Sequence, residues 1–442
     1  MSTASRAHDS PSSTTLRQGS IRVKSHARDF AVFGGQPAFE STLHVGQPNV
    51  GRRTDLLHRF NDLLDRRWLS NDGPYVQELE KALATRLGVR HVVAVANGTV
   101  GLDIAVRAAG LTGEVIVPAF TFVATSHVLL WQGLTPVFCD VDPATHNLSP
   151  ESVEALVNRR VTGILGVHLW GRAAAVEELD DIARRHGLTL IYDAAHALLC
   201  SHRGRMVGGF GKAEVFSFHA TKFVNSFEGG AIATDHDEIA HRARLMRNFG
   251  FTDYDEVQAL GTNGKMSEVS AAMGLTSLES ADEFVAVNRR NYLAYRRGLA
   301  AVPGIDLLSY AETEQNNYQY VVVEVDGERA GLSRDHVQRL LQAENVMVRR
   351  YFYPGCHRLA PYRSMPRYRD VQLPATDAVA SRVLCLPTGT AVSVEAVDAI
   401  CHVLAAAVWH GPEIARRLQG SHIGDDAYPD ESLSLDAETD AR

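Results

Sequence analysis

The sequence predicts an α/β protein: a large domain built on a mostly parallel sheet, then a smaller α+β domain. Three observations predict it. From about residue 75 to 280, short and almost wholly apolar runs alternate with amphipathic helical segments, the pattern of strands buried on both faces. After a long charged helical segment, roughly 279 to 301, the chain changes to a sparser mixture of strands and helices. Its 442 residues, 45% of them hydrophobic, supply core for two or three such units.

The elements follow in order. Residues 1–29 are Ser/Thr-rich, lack the apolar centre of a secretory signal, and read as a disordered tail. Ordered chain is expected from "FAVFGGQPAF", with residues 30–74 forming an N-terminal arm. "VQELEKALATRLG" places Val76, Leu79, Leu83 and Leu87 on one helical face and closes on a capping glycine. The large domain, 75–280, then reads strand "HVVAVA", helix "TVGLDIAVRAAG", strand "EVIVPAF", helix "ATSHVLLWQG" and strand "PVFCDVD". A helix from Pro150 follows, then strand "VTGILGVHL", helix "VEELDDIARRHG" and strand "LTLIYDAA". Strands "AEVFSFH" and "GGAIAT" and helix "DEIAHRARLMRNFG" complete it. The small domain, 281–410, reads strand "YQYVVVEV", a helix capped by Ser333, strand "VMVRRYFY" and a closing helix over about 393–409. Residues 411–442, acidic and poor in bulky side chains, read as a second disordered tail.

Composition narrows the function. A net charge of −8 without a strongly basic cluster argues against general nucleic-acid binding. No apolar run approaches the roughly 18 residues of a membrane span. Five cysteines without a CxxC pair read as reduced, buried thiols of a cytoplasmic protein.

In a parallel sheet of this kind, ligands bind beyond the carboxyl ends of the strands. Three polar groups stand there. Asn97-Gly98-Thr99 opens a helix after "HVVAVA", and free backbone N–H groups beside a glycine suit a phosphate, though such a turn is also ordinary punctuation. Asp193 follows "LTLIY"; a carboxylate there either caps or pairs structurally, or faces a bound cation. Lys222 follows "AEVFSFHAT". A lysine is by default a solvated surface group, but one flanked by small residues and an apolar strand can be desolvated and become a nucleophile for carbonyls. Phosphate, cation and aldehyde occur together in pyridoxal phosphate. Phe122, in "AFTFVAT", would cover such a ring or pack in the core. No GxGxxG, Walker A, HExxH or GxSxG motif competes.

"FSFHATK" with "EGGAI", "YDAAHA", "PAFTFVAT", "PVFCDVDP", "GVHLWG" and "GTNGKMSEVSAAMGL", in this order, resemble the DegT/DnrJ/EryC1/StrS aminotransferases. These are pyridoxal-phosphate enzymes of fold type I that act on nucleotide-linked keto sugars. The resemblance runs from about residue 30 to 410. It implies that Lys222 binds the cofactor and shuttles protons, that Asp193 pairs with the ring nitrogen, and that His196 lies near its phenolic oxygen. It further implies that Gly98, Thr99 and Ser217 hold the phosphate, that Phe122 stacks on the ring, and that Asn263 reaches the cofactor of a second subunit, which requires a homodimer.

Two positions depart from the commoner "FHPTKN" form, where Ala220 and Phe223 replace proline and asparagine, and Lys265 stands where arginine is common. With "NDGP" and "GTNGKMSE", these variants resemble the sugar 4-aminotransferases of desosamine-type pathways, which serve antibiotic biosynthesis. Some relatives carry histidine for the lysine and dehydrate instead; Lys222 points to transamination. The implied reaction moves nitrogen from L-glutamate to a keto sugar, with dTDP as the expected nucleotide. Arg244, Arg247, Lys265, Arg349 and Arg350 are candidates for its diphosphate, and His219, Tyr353 and His357 for the sugar; each is equally readable as a structural or solvated group. The alternatives are a 3-aminotransferase and a non-catalytic regulatory protein on the same scaffold.

Overall fold

The computed structural model describes residues 21–420. Seven strands form one sheet: β1 (His91–Val95), β2 (Glu114–Pro118), β3 (Thr135–Cys139), β4 (Val161–Val167), β5 (Thr189–Asp193), β6 (Glu214–Ser217) and β7 (Gly230–Thr234). Their spatial order is β1-β7-β6-β5-β4-β2-β3. Every pairing is parallel except the two made by β7. The exception has a local cause. No crossover helix lies between β6 and β7, so the chain turns straight back, which only antiparallel strands permit. Lys222 sits in that return loop.

Helices α1 (Arg53–Arg66), α2 (Pro74–Leu87), α3 (Gly98–Ala108), α4 (Ala124–Trp131), α5 (Pro150–Leu156), α6 (Val176–His186), α7 (Asp237–Met246) and α8 (Glu268–Glu279) belong to this unit. Their ends obey the signals in the sequence. Gly88 takes a left-handed φ of 67° after α2, and Ser149 accepts from the Ser152 N–H ahead of Pro150. Helix α1 lies inside the segment read as an arm. It escaped the periodicity because Leu56 and Leu63 alone are fully buried in it, while Leu57 and Leu64 point outward.

Helix α9 (Ala281–Leu299) leads to an antiparallel sheet of β8 (Ile305–Leu307), β9 (Val321–Val325) and β10 (Val383–Leu386), with β9 central. Helices α10 (Arg334–Ala343), α11 (Pro374–Arg382) and α12 (Val394–Trp409) complete this unit. Ser333 caps α10 by accepting from the His336 N–H. The predicted strand "VMVRRYFY" is corrected: only Val346–Met347 is strand, paired in parallel with Leu43–His44. Residues 351–354 turn instead, ahead of Gly355 at φ 90°. Pro354 has no N–H for a ladder there, and the glycine turns the chain away from the sheet.

Both supposed tails contribute to the core of the second unit. Ala27 of the N-terminal one is buried with α9, α10 and α12, beside Phe30, Ala38, Phe39 and Leu43 of the arm. Glu344, fully buried, accepts from the N–H groups of Ala31 at 2.7 Å and Ala38 at 2.6 Å, and Lys24 Nζ lies 2.8 Å away. At the other end, Gly411–Gly420 is helical, and Ile414 and Leu418 are buried in the same cluster. Composition concealed this, because two bulky apolar residues in ten suffice to seat an amphipathic turn. The rest of both tails lies outside the described residues. All five cysteines are buried and free. Among the described residues, no single helix is long and apolar enough to cross a membrane.

Candidate active site

The candidate groups follow the carboxyl ends of β1, β2, β5 and β6, and Tyr320, the residue before β9, reaches Lys222 beyond the end of β6. Asp193, the last residue of β5, is 7% exposed. Its Oδ2 accepts from Thr125 Oγ1 at 2.8 Å and its Oδ1 from the Ala195 N–H at 3.0 Å. Thr125 is in turn 2.9 Å from Thr121 Oγ1. Burial pushes the Asp193 carboxyl above the ordinary range, while these two donors and the charge of Lys222 pull it down. A cation held opposite would favour its ionised form.

Lys222 projects from the β6–β7 loop, which is pinned at many points. Phe218 N–H donates to the Gly229 carbonyl, Ser226 N–H to that of Phe218, and Asn225 N–H to Ser277 Oγ; Phe223 and Val224 are buried. The residue retains some surface at the mouth of the cleft, but its ammonium is enclosed. Burial pushes it down to about 8, against the pull of Asp193. Nζ donates to Tyr320 Oη at 3.0 Å.

The Asn97 turn lies against β6 and β7. Asn97 Oδ1 accepts from the Val100 N–H at 2.9 Å and caps α3. No partner among the described residues takes the N–H groups of Gly98 and Thr99. A Cβ on Gly98 would stand 3.0 Å from Ser217 Cβ, and one on Gly230 would stand 2.7 Å from the Asn97 carbonyl carbon. Glycine therefore leaves a shallow cradle of amides beside the Ser217 hydroxyl at a helix start, which suits an anion.

His196 is buried. Its Nδ1 accepts from the Trp170 N–H at 3.3 Å, so the neutral ring carries its proton on Nε2. Burial and the Lys222 charge hold it well below the ordinary imidazole range. Its ring stacks on Trp170 and Phe352 with centroids 5.7 and 5.9 Å apart. Phe122 stands 56% exposed, touching Phe352 at 6.4 Å, so it is not the core residue it could have been.

The remaining candidates separate. Asn263 is exposed and in a bridge with Asn248; its neighbour Gly264 accepts from the Ala96 N–H at 2.8 Å beside the Asn97 turn, and Lys265 Nζ lies 4.7 Å over the Phe249 ring. His219 binds Thr221 Oγ1 at 2.9 Å and stands 3.4 Å from Glu228. Tyr353 is exposed, with the guanidinium groups of Arg334 and Arg350 4.9 and 4.8 Å from its ring. His357 is buried against Phe138 and Asp377, with no contact to Lys222. Arg247 is withdrawn from any ligand: buried, it pairs with Glu80 at 2.5 Å and Asp72 at 2.8 Å. Arg350 pairs with Asp335 at 3.1 Å, Arg349 bridges to Cys385, and Arg244 is exposed on α7. Sequence reasoning missed Thr125 and Tyr320. The only signal was a hydroxyl near a strand end, which many turns also carry.

An enclosed amine, a buried carboxylate and an amide cradle thus converge, and an aldehyde-bearing, phosphorylated cation fits all three. Residues 52–405 match the model of the DegT/DnrJ/EryC1/StrS aminotransferase family. The dTDP-4-amino-4,6-dideoxy-D-glucose transaminase of Escherichia coli is 35% identical over 368 residues, covering 83% of the chain and 98% of that protein. GDP-perosamine synthase of Caulobacter vibrioides is 35% identical over 306 residues, covering 68% of the chain and 82% of its own length. Among solved structures, DesI in the presence of its TDP-sugar product is 50% identical, with a TM-score of 0.85 over 89% of this chain and 99% of that one.

Proposed function

The chain belongs to the DegT/DnrJ/EryC1/StrS aminotransferase family, and we propose that it converts a dTDP-linked 4-keto-6-deoxy sugar to the 4-amino sugar with L-glutamate as donor. The observation that carries this reading is Lys222: an enclosed amine, held down to about 8, on the same strand ends as Asp193 and the Gly98 cradle. The 4-position follows the Escherichia coli relative, whose name places the amino group on carbon 4 of a dTDP-linked sugar.

Pyridoxal phosphate fits the residues present, and when bound it supplies a sink for the electron pair left as a carbon–hydrogen bond breaks. Lys222 would hold its aldehyde carbon, and Asp193 its ring nitrogen. Gly98, Thr99 and Ser217 would hold its phosphate. Phe122 and His196 would flank its ring. Lys222, released as a free amine, takes the proton from the donor's α-carbon and later delivers one to the sugar carbon that gains nitrogen. An amine near 8 is partly unprotonated at neutral pH, so it can do both. The ionised carboxylate of Asp193 would favour a positive charge, and so a proton, on a ring nitrogen held opposite it.

Asn263 is exposed and makes no side-chain contact with Lys222, Asp193 or Ser217 among the described residues of its own subunit, which supports a homodimer in which it serves a second site. So do the exposed Leu57, Leu64, Trp68 and Leu69 of one surface stretch. Mixing Lys222→Ala with Asn263→Ala subunits, each inactive alone, is then expected to restore part of the activity. Borohydride reduction of the yellow enzyme, followed by peptide mapping, tests the whole reading. The label is expected on Lys222; a label on any other lysine overturns it. Offering 4-keto and 3-keto nucleotide sugars with glutamate, read by NMR of the products, decides the carbon.

A further inference from the structure

We propose that Tyr320 is a positioning residue for Lys222: reaching in from the small unit, its hydroxyl holds the lysine nitrogen in one place whether or not it carries a proton. The inference rests on reading Lys222 as the reacting amine.

Tyr320 precedes β9 by one residue, while Lys222 and Asp193 belong to the large unit. Its Oη is the one hydrogen-bond partner of Lys222 Nζ among the described residues, at 3.0 Å. The phenol has little freedom to move. Its backbone carbonyl accepts the single proton of Tyr310 Oη at 2.7 Å, and the Trp170 carbonyl lies 3.2 Å from the same oxygen. Its ring lies 4.3 Å from that of His196 and 5.3 Å from that of Trp170, centroid to centroid. The ammonium lies 5.6 Å from the ring centroid, so the lysine is held at the hydroxyl edge of an immobile aromatic group.

The chemistry of a phenol suits this place. An ammonium only donates, so the phenol oxygen accepts from it; a neutral amine offers a lone pair, and the phenol proton is then donated to it. One hydroxyl serves both states, which a carboxylate or a lysine in the same place would not do. Burial pushes the Tyr320 phenol well above its ordinary range, so it keeps its proton. The titratable groups facing the pair are Asp193 and His196 around Lys222, and Tyr351, Cys385, Tyr310 and Asp193 around Tyr320. Loss of the hydroxyl leaves the ammonium without its acceptor. That bond is charge-assisted and stronger than the one to the neutral amine, so its removal favours the neutral form.

The test is Tyr320→Phe, which deletes one atom and keeps the ring contacts. Its kcat is expected to fall about tenfold with KM for the sugar near wild type, and the acidic limb of the kcat–pH profile to move to lower pH by about one unit. In the full-length chain freed of cofactor, the pH midpoint for modification of Lys222 by an amine reagent, followed by peptide mapping, is expected to move the same way. Unchanged kcat and midpoint in a folded Tyr320→Phe enzyme overturn the proposal. A fall in kcat with the midpoint and limb unmoved also overturns it, because a merely structural tyrosine behaves so. If Tyr320→Phe fails to fold, Tyr320→His, which keeps a donor and an acceptor, is read by the same midpoint. A wild-type midpoint there supports the role and a lowered one overturns it. The underlying reading fails separately, if borohydride marks a lysine other than Lys222 in the wild-type enzyme.

Discussion

Thr125 Oγ1 donates to Asp193 Oδ2 at 2.8 Å, joining the first turn of α4 to the end of β5. This bond and the Ala195 N–H are what Asp193 has to offset burial besides the charges around it. Thr125→Val keeps the shape and deletes the donor. A charge-assisted bond contributes about 1.5–3 kcal/mol, so the ring nitrogen's partner loses ionisation and the cofactor is expected to leave about ten- to hundredfold more readily. Absorbance during dialysis checks this, and Thr125→Ser is expected to behave like wild type.

The pH dependence of the cofactor-free chain follows from Lys222. Its folded value, about 8, lies below its ordinary 10.5. Between these values the unfolded chain holds more protons, so stability rises with pH through this window and is lost again as pH falls back through about 8. Lys222→Met removes that contribution. Denaturant midpoints measured from pH 7 to 10.5 are expected to show the wild type gaining on the variant, by at most about 3 kcal/mol.

Gly98 leaves no room for a side chain against Ser217. Gly98→Val would force a branched group into the 3.0 Å space beside Ser217 Cβ and cover the amides of the turn. Overpacking of this kind costs about 1–3 kcal/mol. Both a lower Tm and loss of protection by added inorganic phosphate are expected. A lower Tm with phosphate protection retained would show that the anion binds elsewhere.

Lys24 and Glu344 form a pair with almost no exposure, 2.8 Å apart. Glu344→Gln leaves the Lys24 ammonium buried without its counter-charge, which costs about 3–5 kcal/mol. The N-terminal segment is expected to release first. Limited proteolysis near residues 21–40, at protease levels that spare the wild type, reads this directly.

Much of the scaffold was legible from local pattern. Apolar runs marked each strand of the large sheet, and Gly88, Pro150 and Ser333 marked helix ends where they occur. The failures share a cause. Helix α1 and Gly411–Gly420 carry few core residues, and residues 21–29 are held by the buried Ala27, by hydrogen bonds to residues 36–38 and by a buried ion pair with a partner more than three hundred residues away. Such contacts leave no periodic trace. In "VMVRRYFY", Pro354 and Gly355 cut short a run whose composition favours a strand.

The sequence by itself determined which polar groups stand at strand ends: Asn97, Asp193 and Lys222 each follow a buried run, and their motifs identify the family. Only the tertiary structure decided which side chains those groups meet. It seated Thr125 on Asp193 and brought Tyr320 from the second unit to Lys222. It also spent Arg247 on Glu80 and Asp72, and buried His357 away from the cleft. The physical reason is that periodicity along a chain records the burial of one segment. Hydrogen-bond partners depend on how distant segments are packed together, and no single stretch of sequence contains that.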